Sequence, residues 1–165
     1  METQGTNLFI VDDNKLLATD LKYFLQNKFG VSVNISTFED GESCLKKIDK
    51  ETNIVILDYF LNGQDGLEVL KPIKAINPKT EVIMLSSNES IVIAIETFRA
   101  GATDYVVKGQ GSWKKITKRV EYIITTPIRL MVREFGVSTF VATFISTFIT
   151  MALVVVGVLR YMNWI

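Results

Sequence analysis

The sequence predicts an α/β domain built on one parallel sheet, followed by a single transmembrane helix. Two observations predict the sheet: apolar runs of about four to six residues recur between helix-length segments, and Gly, Asn and Pro fall between the runs, where turns need them. One observation predicts the transmembrane helix, because residues 137–159 contain no charged side chain. We therefore expect βα units over residues 7–124 and an apolar helix beyond them.

Each predicted strand is rich in Val, Ile and Leu, and helical spacing of apolar residues follows it. The predicted strands cover residues 7–12, 31–38, 53–58, 80–86 and 103–107. Such near-continuous apolar runs are typical of parallel strands that are buried on both faces. A chain of 165 residues has room for one such domain of about 100 to 150 residues and a short extension.

Composition excludes several kinds of site. The chain has 18 Lys and Arg against 18 Asp and Glu, so we expect no nucleic acid partner, which would require a clustered basic surface. Histidine is absent, which removes His-based general bases, Ser-His triads and most transition-metal sites. The one cysteine, Cys44, lies in a predicted helix and cannot build a disulfide framework. Any metal should therefore be a hard ion with oxygen ligands.

Polar side chains stand where four predicted strands end. Asp12 and Asp13 follow LFIV, and Asp58 follows NIVIL. Ser86 follows EVIML, and Lys108 follows DYVV. Ligands of parallel sheets bind beyond the carboxyl ends of the strands, so these side chains should converge on one crevice. Each has an ordinary alternative when taken alone; Asp13, for example, could cap the first helix.

The residue types of this cluster predict phosphoryl chemistry. Three neighbouring carboxylates repel one another, and a divalent cation relieves the repulsion; Mg²⁺ fits because it takes carboxylate and phosphate oxygens. Asp58 could then attack phosphorus while Lys108 screens the approaching charge, and Ser86 could donate to a phosphoryl oxygen. Ser87 or Asn88 could cap the helix that follows. A covalent aspartyl phosphate is the resulting hypothesis.

With these motifs the sequence resembles the response-regulator receiver family of two-component signalling over about residues 6–124. The resemblance is carried by LFIVDDN, ILDYFLNGQDGLEVL, IMLSS and GATDYVVK. It implies a flavodoxin-like (βα)5 fold with the parallel sheet order 2-1-3-4-5. It also implies that Asp58 is the phosphoacceptor, that Asp13, Asp58 and the backbone carbonyl of Phe60 coordinate Mg²⁺, and that Asp12 contacts the metal through water.

The resemblance extends to the residues that would sense the phosphoryl group. Ser86 and Lys108 would bind it, and Tyr105 matches the aromatic switch that turns inward when the hydroxyl residue moves toward phosphate. A strand aromatic that covers the core is the alternative for Tyr105. Two positions depart from the family, which usually has proline where this chain has Gly109 and often has proline where it has Asn62.

The segment after the receiver-like region predicts a membrane anchor. Thr126-Pro127 reads as an N-cap followed by proline at the first helical position, so a new helix should begin there. The uncharged stretch that follows is long enough to cross about 30 Å of hydrocarbon; a buried sixth helix is the alternative. The predicted parts are a receiver domain (1–126), a juxtamembrane segment (127–136), a transmembrane helix (137–160) and a short non-cytoplasmic tail (161–165).

Flanking charges predict the orientation of that helix. Only Arg160 follows the uncharged stretch, whereas six cations precede it, and cations favour the cytoplasmic side. The six are Lys114, Lys115, Lys118, Arg119, Arg129 and Arg133. Residues 1–5 lack the character of a secretory signal, so we expect a receiver in the cytoplasm at the inner membrane. Tyr161 and Trp164 would lie at the far interface.

Hydroxyl residues within the span would allow helices to associate into a homo-oligomer, although such hydroxyls often bond to their own backbone instead. They are Thr139, Thr143, Ser146, Thr147 and Thr150.

These inferences give one leading hypothesis and three rivals. The leading one is a membrane-tethered receiver, not an enzyme, that accepts phosphate from a sensor histidine kinase or phosphotransfer protein and signals through protein contacts. A haloacid-dehalogenase phosphatase would need a second aspartate two residues after the first, where Phe60 follows Asp58 and Asn14 follows Asp12. The other rivals are an unphosphorylated binding module of a membrane complex and a phosphate sink in a phosphorelay.

Overall fold

The computed structural model describes residues 5–135 and 137–161, with side chains outside 127–142. The chain divides into two compact units, one ending at Ile123 and the other beginning at Ile124. Residues 1–4 lie outside the described part, and with them most of the segment from which the lack of a secretory signal was predicted. So do residues 162–165 of the predicted tail, including Trp164.

The first unit alternates strands with helices, and every predicted strand overlaps a strand of the structure. The strands are β1 (Thr6–Val11), β2 (Val33–Phe38), β3 (Thr52–Asp58), β4 (Phe60–Leu61), β5 (Gln64–Asp65), β6 (Glu81–Ser86) and β7 (Asp104–Val107). The helices are α1 (Lys15–Phe29), α2 (Gly41–Leu45), α3 (Gly66–Ile76), α4 (Ile91–Arg99), α5 (Ser112–Phe135) and α6 (Val137–Tyr161). A short 3-10 turn, Gly30–Ser32, follows α1.

The main sheet is parallel, with the strand order β2-β1-β3-β6-β7. The short strands β4 and β5 form a separate antiparallel pair between β3 and α3. When that pair is left out of the numbering, the order is 2-1-3-4-5. The predicted flavodoxin-like fold is therefore confirmed.

The core lies on both faces of this sheet, because successive strand residues point to opposite sides. One layer packs strand residues against α2 and α3; it includes Val11, Val55, Leu57, Val82, Met84, Cys44, Val69, Leu70 and Ile73. Buried residues of alternate register, such as Ile10 and Ile56, face the other layer. The rings of Phe24 on α1 and Trp113 on α5, with centroids 5.2 Å apart, place those two helices side by side there.

The predicted helix start at Pro127 is wrong. Helix α5 continues through residue 127 and ends at Phe135, and α6 begins at Val137. An N-cap residue needs non-helical backbone, but Thr126 lies inside α5. A proline removes one backbone hydrogen bond of a helix, and a long helix retains the others. The same tolerance is seen in α3, which contains Pro72.

Helix α6 contains a segment, Thr143–Tyr161, that is long and apolar enough to cross a membrane. Among its described side chains, the hydroxyls of Thr147 and Thr150 donate to carbonyls of their own helix, one turn earlier. These two hydroxyls are therefore bonded to the backbone of their own helix, which is the alternative to bonding between helices. Many apolar side chains of the same segment are exposed, among them Phe144, Phe148 and Leu153.

One buried amide ties two loops together at the amino-terminal edge of the sheet. The Asn77 side chain is only 7% exposed, and its Nδ2 lies 3.2 Å from the carbonyl oxygen of Asp49 and 3.2 Å from that of Thr52. Its Oδ1 accepts a bond from the backbone N–H of Lys79. The side chain thereby fixes the entry of β3 relative to the end of α3.

We predict that Asn77→Ala lowers the free energy of unfolding by about 1–3 kcal/mol, because the carbonyls of Asp49 and Thr52 each lose one hydrogen bond and the backbone N–H of Lys79 loses its acceptor. Urea denaturation measures this loss. Asn27→Ala, at an exposed position of α1, is the matched control and should change the stability by less than about 0.5 kcal/mol. Equal effects of the two substitutions would contradict the role given to Asn77.

Candidate functional site

The register of the sheet brings the polar strand ends together. Val11 of β1 pairs with Leu57 of β3, so the residues that follow them, Asp12 and Asp58, are neighbours. Asp58 itself pairs with Leu85 of β6. Further along the edge, Ser86 pairs with Val107, and the backbone N–H of Lys108 donates to the carbonyl oxygen of Ser86 at 2.7 Å.

Lys108 links the two buried carboxylates of this edge. Its Nζ lies 2.6 Å from Oδ2 of Asp58 and 3.0 Å from Oδ2 of Asp12. The lysine side chain is 26% exposed, whereas the two aspartate side chains are 4% and 3% exposed. An ammonium with access to solvent is thus held between two carboxylates that have almost none.

Asp13 completes an acidic cluster beside this contact. One carboxylate oxygen from each of Asp12, Asp13 and Asp58 lies within 4.8 Å of the others. In the described part of the chain, no hydrogen bond or ion pair engages the Asp13 side chain. Three carboxylates and one ammonium leave two negative charges, which a divalent cation would balance. The all-oxygen donor set fits Mg²⁺, and these are the residues that would hold it.

Burial and pairing act in opposite directions on the two central groups. Burial raises the pKa of Asp58 above its ordinary value, although the hydrogen bond from Lys108 acts to lower it. Burial acts to lower the pKa of Lys108, but its bonds to Asp58 and Asp12 outweigh burial and leave that pKa above its ordinary value. The lysine is therefore a permanent cation at neutral pH.

Backbone contacts fix both buried aspartates. The backbone N–H of Asn14 donates to Oδ1 of Asp12 at 2.9 Å, and the backbone N–H of Phe60 lies 3.3 Å from Oδ1 of Asp58. Beyond Phe60 the chain makes the β4–β5 hairpin, whose turn includes Gly63 at a φ of 75°. The hairpin, with its Asn62-Gly63 turn, occupies the place where the family often has proline.

Gly66 is a constraint on this site that the sequence pattern did not reveal. Its backbone N–H donates to the carbonyl oxygen of Tyr59 at 2.7 Å. A Cβ atom at position 66 would lie 2.6 Å from the carbonyl oxygen of Asp58 and 2.8 Å from Cα of Tyr59. Only glycine allows the first turn of α3 to approach the end of β3 so closely. Asp65 reinforces the contact, since its carboxylate accepts from the Tyr59 hydroxyl at 3.0 Å.

Ser86 and Tyr105 are connected through a single residue. The Ser86 hydroxyl oxygen accepts from the backbone N–H of Asn88 at 3.0 Å, and the Tyr105 hydroxyl donates to the carbonyl oxygen of Asn88 at 2.6 Å. Ser86 is fully buried, and Tyr105 packs against the core. A displacement of Ser86 would therefore be transmitted to Tyr105 through the Asn88 backbone.

The helix caps that the sequence allowed at this edge are not the ones that the structure uses. The cap of α1 is Asn14, whose side chain accepts from the backbone N–H of Leu17, rather than Asp13. The residue that caps α4 is Ser90, which makes no side-chain cap bond, rather than Ser87 or Asn88. The reason is that each helix begins later than the strand end suggests. Asp13 is consequently left available as a ligand.

The fold and this site define a class of protein. Residues 8–121 match the family model of the response regulator receiver domain. Because the match covers more than half of the chain, the protein belongs to the response regulator receiver family. Receivers of this family are domains of two-component response regulators that are phosphorylated on aspartate.

Individual relatives agree with this assignment. The transcriptional regulatory protein ZraR of Klebsiella oxytoca is 29% identical over 109 residues, which are 66% of this chain and 24% of ZraR. The chain thus spans about a quarter of the length of that relative. The crystal structure of DrrB, an OmpR/PhoB homologue from Thermotoga maritima, is 27% identical with a TM-score of 0.65, and the match covers 75% of this chain and 54% of DrrB.

A third relative extends the likeness of fold. The CheY-like receiver domain of Methanospirillum hungatei is 21% identical, with a TM-score of 0.67 over 76% of this chain and 99% of that structure. At this identity the likeness concerns the fold.

We predict that Gly66→Ala lowers the free energy of unfolding by about 3 kcal/mol, because the added methyl group would overlap the backbone of Asp58 and Tyr59. Thermal or urea unfolding measures the loss. Gly63→Ala is the control: its Cβ would meet no atom within 4 Å, and only its positive φ costs stability, about 1 kcal/mol. If Gly66→Ala lost no more stability than Gly63→Ala, the close approach at Gly66 would be contradicted.

Proposed function

We propose that this protein is a membrane-tethered receiver in which Asp58 accepts a phosphoryl group from a sensor histidine kinase or a phosphotransfer protein. The observation that carries the proposal is the pair of contacts from Lys108 to Asp58 and Asp12, with Asp13 open beside them. Carboxylates that a lysine partly neutralises at the edge of a parallel sheet are suited to phosphoryl transfer. Output would pass through contacts with other proteins.

The chain's own residues would carry out the transfer. An oxygen of the Asp58 carboxylate attacks phosphorus, a new P–O bond forms, and the P–N bond to the donor histidine breaks. Lys108 holds the acceptor in place before attack and can then pair with the phosphoryl oxygens. Ser86 would donate its hydroxyl to another of these oxygens. Asp12 keeps a bond from Lys108, so the ammonium remains in the site throughout.

Magnesium is part of the proposal. Asp13, Asp58 and the backbone carbonyl of Phe60 would hold the ion directly, with Asp12 behind a water molecule. When bound, Mg²⁺ neutralises charge that develops on the transferred group. The free carboxylate of Asp13 and the two uncompensated charges of the cluster support this assignment.

The switch would use the connection from Ser86 through Asn88 to Tyr105. When Ser86 moves to bind the phosphoryl group, the Asn88 backbone moves with it, and the hydrogen bond from Tyr105 must adjust. Such a change shifts the population of arrangements of α4, β7 and α5 and thereby alters which partner binds there. A phosphate sink would share this chemistry and differ in the lifetime of the phosphoryl group and in its partners.

The rival functions are less well supported. A phosphatase of the haloacid-dehalogenase kind lacks its acid, because Phe60 stands two residues after Asp58 and its side chain is apolar. A binding module that is never phosphorylated would not need this cluster, because bringing three carboxylates together, two of them almost fully buried, costs stability that apolar residues would avoid. A sink in a phosphorelay remains an alternative to the switch.

The membrane anchor is proposed from α6. Its segment Thr143–Tyr161 has the length and composition of a membrane-crossing helix, and its apolar side chains are exposed. Six cations precede the uncharged stretch and only Arg160 follows it, which favours a cytoplasmic receiver at the inner membrane. The equal numbers of cationic and anionic side chains do not favour a nucleic acid partner, and α6 could also associate with a second copy of itself.

We predict that the full chain, in detergent micelles with Mg²⁺ and acetyl phosphate, gains the mass of one phosphoryl group. Asp58→Asn should abolish the gain, because an amide is not a nucleophile toward phosphorus. Intact-mass analysis before and after hydroxylamine treatment measures it, since hydroxylamine cleaves acyl phosphates. Asp20→Asn, at an exposed position of α1, is the matched control and should react like the original chain.

Two outcomes of that experiment would contradict the proposal. If the folded original chain takes up no phosphoryl group from acetyl phosphate or from a phosphorylated kinase, the unphosphorylated binding module becomes the better reading. If Asp58→Asn is modified as readily as the original chain, another residue is the acceptor.

We also predict that the full chain stays in bacterial membranes after alkaline extraction. The double substitution Val154→Lys and Val155→Lys should release most of it, because each lysine at the centre of a span costs about 2.5–3.5 kcal/mol of insertion free energy. Leu16→Lys, on an exposed apolar position of α1, is the control and should leave the chain in the membrane. Release of the original chain would contradict the anchor.

A further inference from the structure

Helix α5 carries a stripe of cations that the receiver site does not use. Lys114, Lys115 and Lys118, the lysine stripe of α5, are all exposed. Ile116 and Val120, which lie between and beyond them, are fully buried. The helix thus packs one side into the core and turns its lysines to solvent.

The stripe lacks partners within the described part of the chain. The ion pairs found there engage other lysines and Arg119, and none engages the three lysines of the stripe. Over the whole of α5 there are six lysines and arginines against two glutamates, a net charge of plus four. A surplus of this size on one helix is typical of a surface that meets an anionic partner.

The position of the stripe in α5 is unfavourable for the isolated helix. The helix begins at Ser112 and has no acidic residue in its first turn, so Lys114 and Lys115 lie at the positive end of the helix dipole. Acidic side chains stabilise that end and cations destabilise it. Because no ion pair within the described residues offsets this cost, an external anionic group is the simplest source of compensation.

We propose that the lysine stripe of α5 docks on anionic lipid headgroups, so that the first part of α5 lies along the membrane surface. This inference rests on the proposed membrane anchor, because an anchored chain would hold α5 close to lipid headgroups. The uncharged stretch begins at Val137, nineteen residues after Lys118. A helix standing upright on the bilayer would hold Lys118 about 28 Å away, well beyond the screening distance of about 8 Å at physiological salt. Docking therefore requires the first part of α5 to lie parallel to the membrane surface. This parallel arrangement can be distinguished by experiment from an upright α5.

Amine acetylation of the full chain in vesicles tests the docking. The vesicles contain either phosphatidylcholine alone or phosphatidylcholine with phosphatidylglycerol, and alkaline extraction first checks that the chain is inserted. Acetylation of the lysine stripe should be about threefold or more slower in the anionic vesicles and should recover at about 0.5 M salt. Lys71, exposed on α3, serves as the internal control and should react equally in both.

Energy transfer from Trp113 gives a second measurement that does not depend on the lysines being present. The chain has two tryptophans, so Trp164→Phe leaves Trp113, next to the stripe, as the single donor to a dye on lipid headgroups. Transfer should be strong in anionic vesicles and should fall when the three stripe lysines are replaced by Gln. The control replaces three exposed lysines elsewhere by Gln, namely Lys47, Lys71 and Lys79, and should retain the transfer.

The outcomes separate the docking from the anchor. An inserted chain whose stripe reacts equally in both kinds of vesicle would overturn the docking and leave the anchor intact. If the stripe lysines were acetylated more slowly in both kinds of vesicle than in detergent, and to the same extent in each, protein rather than lipid would cover them. That result would also overturn the docking. Release of the chain by alkaline extraction would overturn the anchor and the docking together.

Discussion

The contacts of Lys108 with Asp58 and Asp12 are the interaction on which the rest of the site depends. Two carboxylates that are almost fully buried can stay ionised side by side only if a cation is present, and the lysine supplies it from the end of a different strand. The third carboxylate, Asp13, makes no bond to the lysine, so the cluster keeps a surplus of negative charge. That surplus is what would attract a divalent cation to the site.

The fold holds this interaction by backbone contacts rather than by side-chain packing. Hydrogen bonds between neighbouring parallel strands set the register that aligns the ends of β1, β3 and β7. The close approach at Gly66 then packs the first turn of α3 against the backbone of Asp58 and Tyr59. Asp58 is therefore held from two sides, and Ser86 and Tyr105 are connected to each other through the Asn88 backbone.

Much of this could be predicted from the sequence because it depends on patterns along the chain. The apolar runs predicted the strands, and their ends predicted which side chains would meet. Gly66 could not be recognised in the same way, because its constraint comes from a backbone that is near it only in the folded state. The caps of α1 and α4 were also missed, since Asn14 and Ser90 compete with neighbouring residues that are equally good caps.

The error at Pro127 has a similar origin. Proline after threonine is a strong signal for a helix start, but the signal is local, and it does not reveal that a helix has already been running since Ser112. The same continuity matters for function, because α5 belongs to the receiver over its first half and carries the chain toward the apolar helix over its second. The lysine stripe lies in the first of these halves.

The charge balance at Lys108 is the central claim of this account, and a calorimetric titration of Mg²⁺ into the full chain and into Lys108→Met tests it most directly. If the ammonium offsets one of three carboxylate charges, its removal leaves a more negative cluster, and the variant should bind one Mg²⁺ about tenfold more tightly than the original chain. Lys46→Met, which removes an exposed cation that pairs with Glu42 and not with the cluster, should change nothing. Unchanged or weaker binding by a folded Lys108→Met would contradict the claim.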